Sequence, residues 1–306
     1  MRIPGPWTHR EVSANGIRLH VAEFGTGPLV LLLHGFPEFW WAWRHQLPAV
    51  AEAGFRAVAM DMRGYGGSDK TPRGYDPVTL SFDVAGVIRS LGERSAVVVG
   101  QGWGGYVGWA TAAICPVQVR ALVPVAAPHP LHMLSLLARD RRYVPAVAHL
   151  LSMQAPLLPE RRIMADGAAY VEKLLRAWSA PGSPFPDSDT AGSYRLAMGL
   201  WPSPHCAIEY HRWLFRSRLR RDGRTFKHQM ARPLRQPVLQ IHGAVDPAVP
   251  GGDKDSSRSH VAGPYRLEVL GDVGHFPHEE APARFNRLLV DWLRVLPATG
   301  DRPVNG

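Results

Sequence analysis

The chain has 306 residues, of which 45% are hydrophobic and 20% charged, a composition typical of a globular protein with one large core or one core and an insert. Thirty-five Lys and Arg against twenty-six Asp and Glu give a formal net charge of +9. No nucleic-acid recognition motif accompanies the basic residues, and no run of eighteen apolar residues predicts a membrane span.

The two cysteines and the N-terminal residues give evidence on the cellular compartment of the protein. Cys115 and Cys206 are far apart and lack the spacing of metal ligands, so we expect neither a disulfide nor a metal site. We also expect no cofactor. The first eleven residues contain no apolar core of a signal peptide. These features predict a cytoplasmic protein.

Strand and helix patterns alternate through the first third of the chain. Asn15-Gly16 predicts the turn of a hairpin over residues 11–22, and the apolar run Leu29–Leu33 predicts a strand buried on both faces. The amphipathic pattern from Trp40 to Gly54 predicts a helix, with another buried strand at 55–60. Further strands are predicted at 95–99 and 120–126, and further helices at 77–91 and 106–114.

A sharp turn follows the predicted strand at 95–99. The residues Gly100-Gln101-Gly102-Trp103-Gly104 join a β-branched run directly to a helical pattern. This strand–turn–helix layout is typical of a nucleophile elbow, G-x-Nu-x-G, which presents a catalytic side chain on a strained turn. The residue at the nucleophile position is Gly102, which has no side chain.

The middle of the chain departs from the alternating pattern. Between residues 130 and 231 we find no buried strand, so we predict a helical cap over 131–230, inserted into a core formed by 1–130 and 231–296. Strand patterns resume at 237–242 and 265–270, and a last helix is predicted at 281–296. We expect the tail, 297–306, to fray.

Polar side chains follow several of these strands, where open parallel sheets bind ligands. The order elbow, Asp246, His275 is the chain order of the catalytic groups of α/β-hydrolases. His275 is predicted to act as a base, oriented by Asp246. Other candidates at strand ends are His34, Pro37, Asp61 and His129; for Asp61 we favour a structural role in the loop at 63–67.

The chain resembles the epoxide hydrolase branch of the α/β-hydrolase superfamily over nearly its whole length. His34-Gly35-Phe36-Pro37 matches the HGxP motif of that branch, residues 61–68 resemble its D-x-R-G-x-G-x-S loop, and residues 100–105 resemble its G-x-D-W-G-G elbow. The resemblance implies an α/β-hydrolase fold: a mostly parallel eight-stranded sheet, helices on both faces and a helical cap. It also implies a small, largely apolar substrate, with an oxyanion hole formed by the amides of Phe36 and Trp103.

In that branch an elbow Asp attacks the epoxide, two cap tyrosines hold its oxygen, and the His–acid pair activates water to hydrolyse the ester. Here Gly102 stands at the position of the Asp. Residues 209–212 resemble the segment of one tyrosine, which makes Tyr210 the candidate. The segment of the other tyrosine falls near 149–154, where His149 takes its place, or Tyr143 serves instead. His34, Pro37, Trp40, His129 and His149 are the candidates for substrate binding.

Three functions stay open from the sequence. Water activated by His275 and Asp246 would attack an epoxide or ester directly, or the pair would catalyse a proton transfer or elimination. Alternatively the chain is an inactive pseudoenzyme that binds a small apolar ligand among its aromatic residues. A third possibility is an interaction protein that uses the basic cap, densest at 216–224.

Overall fold

The computed structural model describes residues 1–133, 144–249 and 254–297, and within these ranges the chain forms an eight-stranded sheet. The strands are β1 Thr8–Ala14, β2 Ile17–Phe24, β3 Leu29–Leu33, β4 Arg56–Met60, β5 Ala96–Gln101, β6 Val119–Val125, β7 Val238–Gly243 and β8 Tyr265–Leu270. Their order in the sheet is β1-β2-β4-β3-β5-β6-β7-β8. The pairs β1–β2 and β2–β4 are antiparallel and the other pairs are parallel, which confirms the predicted fold class.

The described helices cover both faces of this sheet. They are α1 Gln46–Glu52, α2 Pro77–Ser90, α3 Trp103–Ile114, α4 Val144–Ser152, α5 Leu158–Trp178, α6 Ser188–Met198, α7 Ser203–Arg216, α8 Arg221–Met230, α9 Pro277–Glu280 and α10 Pro282–Val295. Helix α1 packs with α10, and α2 packs with α3. None of the helices in the described ranges is long and apolar enough to cross a membrane.

The sequence predicted the strands at the centre of the sheet well. All residues of β3 and β5 are buried, as expected for strands covered on both faces. The turn between β1 and β2 is Asn15-Gly16, with φ of 49° and 79°. Both residues therefore adopt the left-handed conformation that makes Asn-Gly a strong hairpin signal.

The predicted helix over Trp40–Gly54 is wrong in its first half. A short 3-10 helix spans Trp40–Trp43, and α1 begins only at Gln46. Pro48 explains the break, because its ring would clash with the carbonyl of residue 44 in a continuous helix but is tolerated in a first turn.

Helices α4 to α8 lie between β6 and β7 in the chain. Helix α5 consists of two helical pieces, separated by a kink where Asp166, Gly167 and Ala168 have positive φ. The boundaries predicted for a core and a cap remain predictions. The predicted tail lies almost entirely outside the described residues, and so does Tyr143.

Candidate active site

The turn after β5 has the backbone conformation of a strained elbow. Gly102 has φ of 51° and ψ of −114°, a region that side-chain-bearing residues enter only at a cost of about 1–3 kcal/mol. Its amide donates to the carbonyl of Val125 at 3.0 Å, and its carbonyl accepts from the amide of Tyr106 at 2.9 Å. The turn is therefore held between β6 and the first turn of α3.

A side chain would have room at this turn. A Cβ atom on Gly102 would lie 3.5 Å from Nε2 of His275 and 3.8 Å from Cα of Gly35, both ordinary contact distances. A Cβ on Gly104, by contrast, would lie 2.2 Å from the carbonyl oxygen of Leu33. The glycine at 104 therefore lets α3 approach β3, whereas the glycine at 102 leaves open space beside His275.

His275 and Asp246 form a buried hydrogen-bonded pair. Asp246 follows β7, and His275 follows β8 in the adjacent position of the sheet. Nδ1 of His275 donates to Oδ2 of Asp246 at 2.9 Å, while Oδ1 of Asp246 accepts from the amides of Ala248 and Val249 at 2.8 and 3.0 Å. The carboxylate is thus fixed on both oxygens, and it directs Nε2 of the imidazole toward Gly102.

Electrostatics in this pair favour the charged forms. Burial opposes the imidazolium, but the Asp246 carboxylate, together with Glu38 and Glu280, outweighs burial and raises the pKa of His275 above its ordinary value. Burial likewise opposes the carboxylate, yet His275 and the backbone amides hold the pKa of Asp246 below its ordinary value. His275 is therefore a stronger base than a free histidine.

Two residues that line the cavity next to the elbow have backbone amides without a partner among the described residues. The amides of Phe36, in the loop after β3, and of Trp103, at the first position of α3, make no hydrogen bond to any part of the chain that the structure describes. The first amides of a helix have no partner within the helix and carry its positive partial charge. That these two amides form an oxyanion hole stays a prediction.

A largely apolar cavity of about 110 Å³ adjoins the elbow. Of the predicted site residues, those in its lining are Phe36, Gly102, Trp103, His149 and His275. Trp178, at the end of α5, also lines it; its ring centroid lies 5.1 Å from that of His275, and its carbonyl accepts from the His275 amide at 2.8 Å. No sequence motif marked Trp178, because its place depends on the path of α5.

Tyr210 does not line this cavity. Its hydroxyl is buried and donates to the carbonyl of Arg63 at 2.8 Å, so the structure does not bring the predicted oxygen-holding group to the site. The next residue, His211, lines the cavity instead. One position along a helix rotates the side chain by about 100°, so the matching motif alone could not separate the two residues.

His211 has both ring nitrogens occupied. Nδ1 donates to the carbonyl of Ala207 at 3.0 Å, and Nε2 accepts from the indole N–H of Trp103 at 3.0 Å. Burial, together with the nearby His149, lowers the pKa of His211 to about 3. His211 is therefore a neutral group that orients the Trp103 ring.

His149 differs from His211 in its hydrogen bonds. Its Nε2 is buried and has no hydrogen-bond partner among the described residues. Burial, with a smaller contribution from His275, lowers the pKa of His149 to about 4, so the ring is neutral near pH 7. A neutral ring with a free Nε2 can still donate or accept one hydrogen bond in the cavity.

The other predicted binding residues are occupied elsewhere. Nδ1 of His34 donates to the carbonyl of Gly35, and Nε2 accepts from the amide of Met62, so this buried ring supports the loop after β3. Pro37 is buried, and the buried Trp40 donates its indole N–H to the carbonyl of Met1. None of these three residues lines the cavity.

His129 lies beside the cavity without lining it. Its ring stacks on that of His260, with centroids 3.8 Å apart, and its amide donates to Oγ of Ser257. Burial lowers its pKa to about 2. Its neighbour Pro128 lines the cavity instead.

Asp61 has the structural role that the sequence favoured. Its Oδ2 accepts from Nδ1 of His20 and from the amide of Gly67, and its Oδ1 accepts from the amide of Trp40, each at 2.8 Å.

Gln101, next to the elbow glycine, supports the loop of His275. Its side chain amide donates to the carbonyl of His275 at 2.9 Å, so the amide group is not available to a substrate.

A sequence model described as the alpha/beta hydrolase fold matches residues 28–282. The chain belongs to the α/β-hydrolase family. Epoxide hydrolase A of Mycobacterium tuberculosis is 29% identical over 332 residues, covering 95% of this chain and 99% of the relative. Epoxide hydrolase B of the same organism is 31% identical over 351 residues, covering 93% and 98%. The crystal structure of epoxide hydrolase A from Mycobacterium thermoresistibile superposes with a TM-score of 0.82 at 26% identity, covering 95% and 99%.

All three of these homologues are named epoxide hydrolases, which supports a hydrolase activity for this chain. In the described ranges, no three His, Cys, Asp or Glu side chains converge as a metal site requires. The chemical groups at its candidate site are the buried His–Asp pair, the two amides and the apolar cavity.

Proposed function

We propose that the chain is an epoxide-hydrolase-like enzyme in which His275, oriented by Asp246, activates a water molecule for direct attack on a small, largely apolar substrate. The observation that carries the proposal is the buried hydrogen bond of 2.9 Å between His275 and Asp246, with the open space at Gly102 on the other side of the imidazole. In this route no covalent ester forms on the chain.

The raised pKa of His275 supports its role as general base. The water oxygen would attack the electrophilic carbon while Nε2 of His275 accepts the water proton, and Asp246 would stabilise the resulting imidazolium. General-base catalysis of this kind contributes roughly 10²–10⁴-fold in rate. An enzyme of this type is therefore expected to turn over more slowly than one with an elbow carboxylate.

The remaining polar groups of the cavity suit an oxygen that becomes negative. With an ester, the amides of Phe36 and Trp103 would bind the oxyanion of the addition step. With an epoxide, the bond from the water oxygen to carbon forms as the epoxide C–O bond breaks. Nε2 of His149, in the tautomer that carries the proton on Nε2, would donate a hydrogen bond to the released alkoxide, which takes its proton from solvent as the His275 imidazolium returns one to solvent. His149 is thus the candidate for the oxygen-holding role, and Tyr210 is not.

The test is turnover of a panel of small apolar epoxides and esters by the native chain and by His275→Ala. We expect His275→Ala to lose about 10²-fold or more in kcat/KM. A matched control is His205→Ala, since His205 is a half-exposed cap histidine paired with Glu160. Equal turnover by His275→Ala and the native chain would end this proposal.

Gly102→Asp tests the rest of the machinery. A carboxylate at this position would add the two-step route, and deleting a nucleophile from a comparable site costs on the order of 10⁶-fold. If the other groups are competent, Gly102→Asp gains epoxide hydrolysis and forms an ester that is detectable by mass spectrometry. A stable, folded Gly102→Asp variant without such a gain would mean that the cavity does not accept epoxides.

A further inference from the structure

The cavity beside Gly102 is lined by residues from three separate parts of the fold that carry hydrogen-bond donors without a partner in the described ranges. The donors are the amide of Phe36 after β3, the amide of Trp103 at the first turn of the twelve-residue helix α3, and the ring of His275 after β8. His275 is only 6% exposed, and its Nε2 makes no hydrogen bond within the described part of the chain. This nitrogen lies 3.5 Å from the Cβ position of Gly102, so it points into the space.

These donors together favour an anion. The N-terminus of a helix carries a positive partial charge, and an imidazolium held by Asp246 adds a charged donor. A carboxylate has two oxygens, one for the paired amides and one for Nε2 of His275. In this chain no elbow side chain supplies that carboxylate, because residue 102 is glycine.

The acidic side chains that interact electrostatically with His275 also have neighbouring groups of their own. Asp246 binds His275 and two backbone amides. Glu38 lies 3.3 Å from Nε2 of His278, and Glu280 accepts from the amides of Ala180, Gly274 and Phe276. Repulsion between these carboxylates and a bound anion is therefore reduced.

The cavity beyond these donors is apolar and suits a hydrocarbon tail. Its walls away from the elbow include Leu150, Trp178, Leu214 and Val249. We propose that the space beside Gly102 is a binding site for the carboxylate of a small apolar monocarboxylic acid, whose tail occupies the adjoining cavity. This site does not depend on turnover: it holds a ligand whether or not water attacks a substrate there.

Binding is expected to weaken with rising pH, because the ligand needs the protonated imidazole. The groups that face His275 are Asp246, Glu38 and Glu280, which favour its charged form, and His149, which opposes it. Small carboxylic acids ionise near pH 4, as the side chain of Glu does, so they stay charged across the range from pH 6 to 9. The loss of affinity in that range therefore reports the titration of His275.

The test compares phenylacetate and butyrate with phenylacetamide and butyramide by isothermal titration calorimetry, without any substrate. We expect each acid to bind the native chain at pH 6 at least tenfold more tightly than its amide, and at least tenfold more weakly at pH 9. His275→Ala removes this preference. Equal binding of acid and amide would overturn the proposal.

Gly102→Asp is the decisive variant, because its own carboxylate would occupy the space and abolish binding of the acids. Gly192→Asp is the matched control, because this substitution adds the same charge away from the cavity. Gly192 lies on α6, and no atom lies within 4 Å of its Cβ position. Thermal melting checks that both variants fold. Acid binding retained in a folded Gly102→Asp would also contradict the site. Because no turnover is measured, failure of the hydrolase proposal would leave this result unaffected.

Discussion

At the scale of single residues, both proposals for this α/β-hydrolase rest on His275. Its ring is buried, its Nδ1 is held by Asp246, and its Nε2 faces the space at Gly102. The same nitrogen serves both proposals in opposite protonation states, since a general base must be neutral and an anion site must be charged. The two proposals therefore predict opposite dependences on pH.

The first prediction concerns the pH profile of turnover. The base form of His275 is lost as pH falls, and Asp246 raises the pKa of His275, so kcat/KM should rise with pH through an apparent pKa above that of an ordinary histidine and then level off. In Asp246→Asn the apparent pKa should fall, and kcat should drop by no more than the loss in His275→Ala, within roughly 10²–10⁴-fold. Asp272→Asn, an exposed turn residue beyond β8, is the control. A flat profile for the native chain would contradict the role of His275 as the base.

The second prediction separates Tyr210 from His149. Tyr210→Phe removes the hydrogen bond to the carbonyl of Arg63, so it should lower the free energy of unfolding by about 1–3 kcal/mol and leave kcat/KM unchanged. His149→Phe should do the reverse: stability changes little, but kcat/KM for an epoxide falls by about tenfold, since a single hydrogen bond to the released oxygen is lost. Denaturant unfolding and initial rates measure the two effects. A lower kcat/KM in Tyr210→Phe would contradict this prediction and indicate that Tyr210 takes part in the reaction.

At the scale of elements, the contact between α3 and β3 sets the geometry of the amide pair. The amide of Trp103 belongs to α3, the amide of Phe36 follows β3, and the glycine at 104 brings the two elements together. Any displacement of α3 would move one amide relative to the other. The relative position of the two amides therefore depends on Gly104, a residue that has no reactive side chain.

The third prediction tests this contact. In Gly104→Ala the Cβ would lie 2.2 Å from the carbonyl oxygen of Leu33, so α3 must shift, at a cost of about 1–3 kcal/mol in unfolding free energy. Carboxylate binding and turnover should fall with it. Gly192→Ala, in the exposed face of α6, has no such contact and should be neutral or stabilise by up to about 1 kcal/mol. Equal melting temperatures of the two variants would contradict a tight approach of α3 to β3.

The elements also show what sequence patterns can and cannot predict. Buried strands such as β3 and the turn at Gly102 have local sequence patterns, so their positions were predictable. The Asp246–His275 pair was predictable from the order of the candidate residues along the chain. The choice between Tyr210 and His211 depends on how α7 is rotated against the core, which tertiary packing decides. Trp178 reaches the cavity from the end of a kinked helix, and no local signal specifies that path.

At the scale of the whole molecule, the strand order explains why distant residues meet. Strands β3, β5, β6, β7 and β8 run parallel and adjacent, so their carboxyl ends share one edge of the sheet. The loops at that edge carry Phe36, Gly102, Asp246 and His275. The helices between β6 and β7 carry His149, Trp178 and His211, which line the cavity. The loops at this edge thus supply His275 and the two amides, and the apolar wall is shared between residues near the strand ends and residues of the helices between β6 and β7.

The central claim is that water attacks the substrate directly, and a single turnover in water enriched in oxygen-18 tests it. With enzyme in excess over substrate, direct attack places the heavy oxygen in the product and leaves the mass of the peptide spanning residues 96–105 unchanged. An ester on the chain would instead transfer an unlabelled protein oxygen to the product of the first turnover. We predict one oxygen-18 atom per product molecule; an unlabelled product together with an adduct on the elbow peptide would contradict the account.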